Sequence, residues 1–215
     1  MTYLEIINNV LRRLRENVAE TSNETEYSTL IGAFVNDAKE IVENSHSWSA
    51  LRTEIQFDTV SGTSEYSLTG AGQETEVRDA INKTSKTRFN TRNRSYMNDV
   101  YHLRTPVSGP PTEFAFTGTD SNGDIKVKVY PQPDAIYSFL FDAFVPQSAL
   151  SNDTDVLKVP YNPVVQLAFA MALRERGETG GQSASEQFAV ADTILSDAIA
   201  FDANKYQEDT TYVAV

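Results

Sequence analysis

The sequence contains no cysteine, which removes disulfides, thiolate nucleophiles and most structural zinc sites together. It has only two histidines and one tryptophan, so any imidazole chemistry rests on His46 or His102. Positive charge is scarce as well: 18 Lys and Arg stand against 30 Asp and Glu, a formal charge of −12 with a pI near 4.6. That balance argues against broad adhesion to nucleic acid or to an anionic membrane, because phosphate binding needs clustered Lys and Arg. No apolar run reaches the roughly 20 residues that a membrane-spanning helix needs. Charges within Met1 to Val18 break what would be the apolar core of a signal peptide, so no such leader is expected.

The signatures of catalysis are missing too. There is no Walker phosphate loop, no dinucleotide glycine pattern, no G-x-S-x-G and no H-E-x-x-H. Asp120-Ser121-Asn122-Gly123-Asp124 opens like a calcium loop, but its glycine precedes the third acid and Pro131 stands where the closing glutamate belongs. A hairpin turn accounts for the same residues. His46 falls at a helix end, where interaction with the dipole is sufficient explanation, and His102 lies in a stretch without apolar period. A glycosidase needs two carboxylates about 5–10 Å apart, and 30 scattered acids give no means of choosing a pair. The residues therefore point to no catalytic group, no cofactor and no metal ligand.

What the chain does have is helical period. Val159 to Gly177 reads V-P-Y-N-P-V-V-Q-L-A-F-A-M-A-L-R-E-R-G, with Asn162 as cap, Pro163 as first helical residue, Arg174 and Arg176 at the carbonyl end and Gly177 as the stop. The helix is apolar almost all round and, at roughly 14 residues, too short for a bilayer, so protein must cover it. Candidate neighbours lie at both ends of the chain. Thr2 and Glu5 have capping-box spacing before an amphipathic helix from Tyr3 to Asn17. A second helix runs from Tyr27 to Ser45, and a last one follows Ser183-Ala184-Ser185-Glu186 and ends near Tyr206.

Between them the period changes to two. Ile55 and Phe57, Tyr66 and Leu68, Thr112 to Thr117, Ile125 to Val129 and Tyr137 to Phe144 read as strands separated by turn residues. Thr69 to Ser108 is polar and carries only short strands and one helical turn near Tyr96 to Tyr101. The expected fold class is α+β: an antiparallel four-helix bundle with an inserted antiparallel β-rich module and an extended C-terminal arm. The bundle takes residues 1–49 and 157–206, the β-rich module 50–148 and the arm 207–215.

Charge is unevenly spread. Lys83, Lys86, Arg88, Arg92 and Arg94 form the one basic concentration, interleaved with Phe89 and Tyr96. A solvated loop, an acidic protein partner or a nucleic acid backbone would each suit it. After Arg176, seven acids including Glu186, Asp192, Asp197 and Asp202 face only Lys205, giving the last helix a negative outer surface.

In element order, the chain resembles the head-to-tail adaptor proteins of short-tailed bacteriophages, also called tail tubular protein A. The resemblance is carried by two amphipathic helices with Trp48 after the second, by T-E-I-Q-F-D-T returning to E-Y-S-L, by Y-P-Q-P-D before an aromatic strand, and by D-V-L-K-V-P-Y-N-P leading into the alanine-rich helix. It implies a structural virion protein of the tail neck, made in the host cytoplasm. Twelve copies would form a ring between the portal protein and the tail nozzle protein, sometimes with tail fibres, around a channel through which DNA passes without sequence-specific binding. Carried onto this sequence, Tyr206, Tyr212, Val213 and Val215 become portal contacts, and Glu186, Asp192, Asp197 and Asp202 channel-facing acids that repel DNA. The alternatives are a virion-associated peptidoglycan hydrolase and a cellular protein-interaction module.

Overall fold

The uncharged run from Tyr161 to Leu173 forms the buried helix α4 (Tyr161–Arg176) in a computed structural model that describes residues 1–177 and 182–205. It begins before Asn162: Pro160 is the cap and offers no side-chain hydrogen bond. Pro163 is then the third helical residue, where its missing N–H is still one of the four that a helix start leaves unpaired. Gly177 ends the helix in the left-handed region at φ 64°, the conformation in which a residue without Cβ meets no steric penalty.

The chain divides into two compact units, Met1–Leu51 with Gln147–Val215, and Arg52–Pro146. In the first unit, α4 packs against α1 (Tyr3–Arg13), α2 (Glu26–Asn44) and α5 (Gln182–Ala203). Both N-terminal helices start with reciprocal caps: Thr2 with Glu5, and Thr25 with Ser28. The α1 helix stops at Arg13, short of the expected Asn17. Arg15 turns left-handed at φ 59°, and the Glu16 and Arg15 amides bond back to the carbonyls of Leu11 and Arg12 at 3.0 and 3.1 Å. This is a Schellman closure with arginine where glycine is usual, so composition did not announce it. Two charges are buried in α2: Lys39 Nζ donates to Glu43 at 2.9 Å and to the Gln147 carbonyl at 2.5 Å, which fixes the point where the chain re-enters this unit. Helix α5 is already formed at Gln182, ahead of Ser183, its expected cap.

The second unit is a β-sandwich. One sheet has the order β1-β8-β3-β4, from β1 (Arg52–Asp58), β8 (Ser138–Phe144), β3 (Glu76–Asn82) and β4 (Thr87–Arg88). The other is β2-β7-β6-β5, from β2 (Glu65–Ser67), β7 (Ile125–Tyr130), β6 (Glu113–Thr119) and β5 (Asn90–Thr91). Their inner faces meet in an aromatic core: Phe89 lies 4.6 Å from Phe139 and 5.9 Å from Phe114, and Phe114 lies 5.2 Å edge-on to Phe141, ring centre to ring centre. Such offset and edge contacts suit the ring quadrupoles. The short helix α3 (Arg94–Asn98) and a π-helical turn, Asp99–Leu103, place Met97 and Val100 on Ala115 of β6.

The expected fold class is therefore corrected. The chain is not an antiparallel four-helix bundle with an inserted antiparallel β-rich module. Among the described residues it has five helices and two sheets of four strands each, and β5 pairs with β6 in parallel, so the module is not wholly antiparallel. The missing elements all come from Thr69 to Ser108. Strand β3 escapes the period-two pattern because its register shifts between Val77 and Asp79, so that Val77 and Ala80, three apart, are both inward, and because buried Asn82 takes a core position.

Gly32 marks the tightest approach within the helical unit. A Cβ there would lie 2.4 Å from the Tyr3 hydroxyl oxygen and 3.2 Å from Cζ, and Tyr3 is buried. We expect Gly32→Ala to destabilise the fold by about 1–2 kcal/mol despite the better helix propensity of alanine, and Tyr3→Phe in the same chain to recover part of that loss. Denaturant midpoints of the wild type and the two variants provide the check; no destabilisation by Gly32→Ala would mean that Tyr3 does not press on α2.

Candidate functional site

One end of the β unit is built from three loops that hold one another. The Gly62 amide bonds to the Pro133 carbonyl at 2.8 Å, the Gln132 amide to the Val107 carbonyl at 2.9 Å and the Gly109 amide to the Gln132 carbonyl at 2.9 Å. The Gln132 side chain donates to the Gly62 carbonyl, and the Ser61 and Thr59 hydroxyls donate to the carbonyls of Asp134 and Ala135. On this framework Val60 is 61% exposed, Val107 56% and Ile136 71%, while Leu103 at the end of the π-helical turn is 81% exposed. Large apolar side chains on a rigid, polar-bonded scaffold are the usual mark of a protein contact. Each is a lone apolar residue in a polar loop, so no periodicity could have singled it out.

The basic concentration is partly neutralised. Arg92 bonds to Glu113 at 2.6 and 2.9 Å and lies over the Tyr96 ring, and the Glu113 carboxylate holds the Arg92 guanidinium above its ordinary range. Arg88 sits 3.5 Å from Asp79, and Lys83 donates to Gln56 at 3.2 Å. Lys86 and Arg94 are exposed, with no ion pair among the described residues. Phe89, interleaved with these charges in the sequence, fills the sandwich core. The Asp120–Asp124 segment is a turn closed on itself, with Asp120 Oδ1 accepting from the amides of Asn122 and Asp124 at 2.8 and 3.0 Å. Among the described residues no cluster of three or more His, Asp or Glu is arranged to hold a metal.

The four acids expected on one channel-facing surface of α5 do not share a face. Glu186, Asp192 and Asp197 are exposed, but at 100° per residue Asp192 points roughly 120° away from Glu186, whereas Asp197 nearly eclipses it. Asp202 is only 8% exposed. Its carboxylate accepts the Ser49 amide at 2.9 Å and the Ser49 hydroxyl at 2.6 Å, with His46 Nε2 at 3.5 Å. His46 in turn meets the edge of Trp48. Asp202 thus anchors the end of α5 to the turn Ser49–Leu51, with its carboxylate engaged by Ser49. Tyr206, Tyr212, Val213 and Val215, with the arm 207–215, lie outside the described residues.

A family model described as the SU10 adaptor protein matches residues 1–213. The chain belongs to that family. The membership agrees with the adaptor resemblance of the sequence and assigns the chain to the structural proteins of bacteriophage particles. A search of curated proteins finds no match to the adaptor.

The Asp202 anchor has a defined pH signature. Burial pushes its carboxyl upward, but the hydrogen bonds from Ser49, with His46 and Lys205 nearby, outweigh that and hold it below the usual carboxylate range. A depressed folded-state pKa contributes stability that is complete above the unfolded value of about 3.9 and is lost as pH falls through the lower folded value. We expect Asp202→Ala to cost about 1–3 kcal/mol at neutral pH and to flatten the pH dependence of unfolding below about pH 4, both read from melts across pH. An acid limb of unchanged steepness in the variant would mean that the anchor is not Asp202.

Proposed function

We propose that the adaptor joins the portal to the tail nozzle in the tail neck, as a ring of twelve copies through which DNA passes without sequence-specific binding. It would be made in the host cytoplasm before incorporation into the virion. The observation that carries this reading is the SU10 adaptor match over residues 1–213. The exposed apolar loop end of the β unit adds physical support, because three large side chains, Val60, Val107 and Ile136, left in water on a hydrogen-bonded scaffold favour a permanent partner. We assign Val60, Leu103, Val107 and Ile136 to the nozzle contact. Tyr206, Tyr212, Val213 and Val215 are assigned to the portal. Lys86 and Arg94 are the members of the basic group best placed to meet an acidic partner such as a fibre, since their charges are unspent.

Exposed Asp192 and Asp197 would keep the ring interior negative, while Glu186 lies on the flank that lines the cleft beside α1. With Lys205 the only base in or just beyond α5, a passing phosphate backbone finds nothing there to hold it. Catalysis has no part in this reading.

The test is reconstitution. Mixed with portal rings, the chain should bind as a multi-copy layer visible by native mass spectrometry or electron microscopy, and that complex should bind the nozzle. The paired change Val60→Asp with Ile136→Asp should weaken nozzle binding at least about tenfold, leave portal binding intact and shift stability by less than about 0.5 kcal/mol, since both positions are exposed. Unchanged nozzle affinity would remove the loop end from the contact. A chain that never assembles on the portal, or that clears purified cell walls by itself, would overturn the adaptor role.

A further inference from the structure

We infer that neighbouring copies in the ring meet through two different faces of the helical unit: the acidic, apolar stripe of α2 on one copy and the basic cleft at the end of α1 on the next. The inference rests on the ring reading above and says which surfaces close it.

The first face is a single stripe of α2. Glu26, Leu30, Phe34, Asp37 and Ile41 follow one another at spacings of three and four residues, so they share one side of the helix. Leu30 and Phe34 are half-buried and Ile41 is 47% exposed. The one base of α2, Lys39, is buried against Glu43. The remaining charges of the helix are therefore Glu26, Asp37 and Glu40, all exposed acids without a side-chain partner among the described residues.

The second face is a cleft of about 620 Å³ floored by Phe169 and Leu173 of α4. One wall is the end of α1, with Arg13, Leu14 and Arg15; the other is α5, with Val190 and Glu186. Arg15 makes no side-chain bond among the described residues. Among the described residues Arg13 bonds only to the neutral amides of Asn9 and Gln166, so its charge too is uncompensated there. Arg15 stands in a left-handed conformation at φ 59°, where glycine would be unstrained, and it is among the residues that line the cleft.

Three exposed acids beside an apolar stripe complement two uncompensated guanidinium groups, Arg13 and Arg15, at a cleft with apolar side chains among its lining. Two α2 stripes facing each other would set acid against acid, which disfavours a two-fold dimer on this face. A contact between unlike faces propagates from copy to copy and closes as a ring.

The absence of cysteine gives a direct test. In the assembled protein, Ile41→Cys combined with Val190→Cys should yield an oxidised ladder of trimers and larger species, whereas either change alone gives at most dimers. Separately, Asp37→Lys with Glu40→Lys, or Arg13→Glu with Arg15→Glu, should each raise the concentration for half-assembly at least about tenfold, and all four changes together should restore most of it. Circular dichroism melts verify that each variant is folded. Rings that form in the wild type yet give no ladder and ignore both reversals would overturn these faces while leaving the ring reading intact. A wild-type chain that forms no ring with the portal would overturn both.

Discussion

A helix with no charge from Tyr161 to Leu173 has to be enclosed, and the organisation of the chain follows from that requirement. Val164, Val165, Leu167, Met171 and Leu173 are buried together with Ala168, Ala170 and Ala172. Each large side chain contributes on the order of 1.5–3 kcal/mol, and the alanines let neighbouring helices approach closely. The covering helices α1 and α2 come from the start of the chain and α5 from its end, so the terminal segments form one unit. The stretch Arg52–Pro146 then leaves and returns as an excursion with a core of its own. Two polar contacts inside the helical unit hold its outlying segments: Lys39 on the Gln147 carbonyl, and Asp202 on Ser49. Both bury charge, and both are bonded at the charged atom, which is the condition under which burial is tolerable.

The β unit meets a different constraint. Its sheets face each other through aromatic side chains, and the outer side of the second sheet is covered at Ala115 by Met97 and Val100. Loops at one end satisfy their backbone groups on each other rather than in water. That frees Val60, Val107 and Ile136 from any role in the core, so their exposure costs the isolated chain hydration and offers a partner a preformed apolar surface. Rigidity matters here because a contact made by ordered loops does not have to offset the entropy of ordering them.

Signals that depend on one residue type or one period were legible in the sequence. The capping box at Thr2, the run of α4, its stop at Gly177 and the alternation of β1, β7 and β8 all belong to this class. Features set by tertiary context were not. Arg15 closes α1 where the letter gives no warning, and Asn82 sits in an apolar core. The bulge in β3 removes the alternation that would have revealed a central strand, so the sheets were underestimated and the fold class misjudged. Asp202 shows the same limit at the candidate site. By letter it is one more acid in an acidic helix, and only its distance to Ser49 separates it from Asp192 and Asp197. The exposed loop end had no signal at all, because a single valine or isoleucine in a polar loop is ordinary.

Helix α5 ties these points together. Ala184, Ala191 and Asp202 are buried, while Phe188, Ile194, Leu195 and Ile199 are only half-covered and Val190 and Phe201 remain largely in water. Such a helix has more apolar surface than its own unit can bury, and its exposed acids Asp192 and Asp197 diverge by roughly 140° around the axis. A wall serving only to repel DNA would gather its acids on one side and its apolar residues on the other. The mixed surface instead suits a helix with two neighbours, α4 within the chain and a second copy at its flank. On the ring reading, the negative interior is then a consequence of how few bases α5 carries, not of where its acids point.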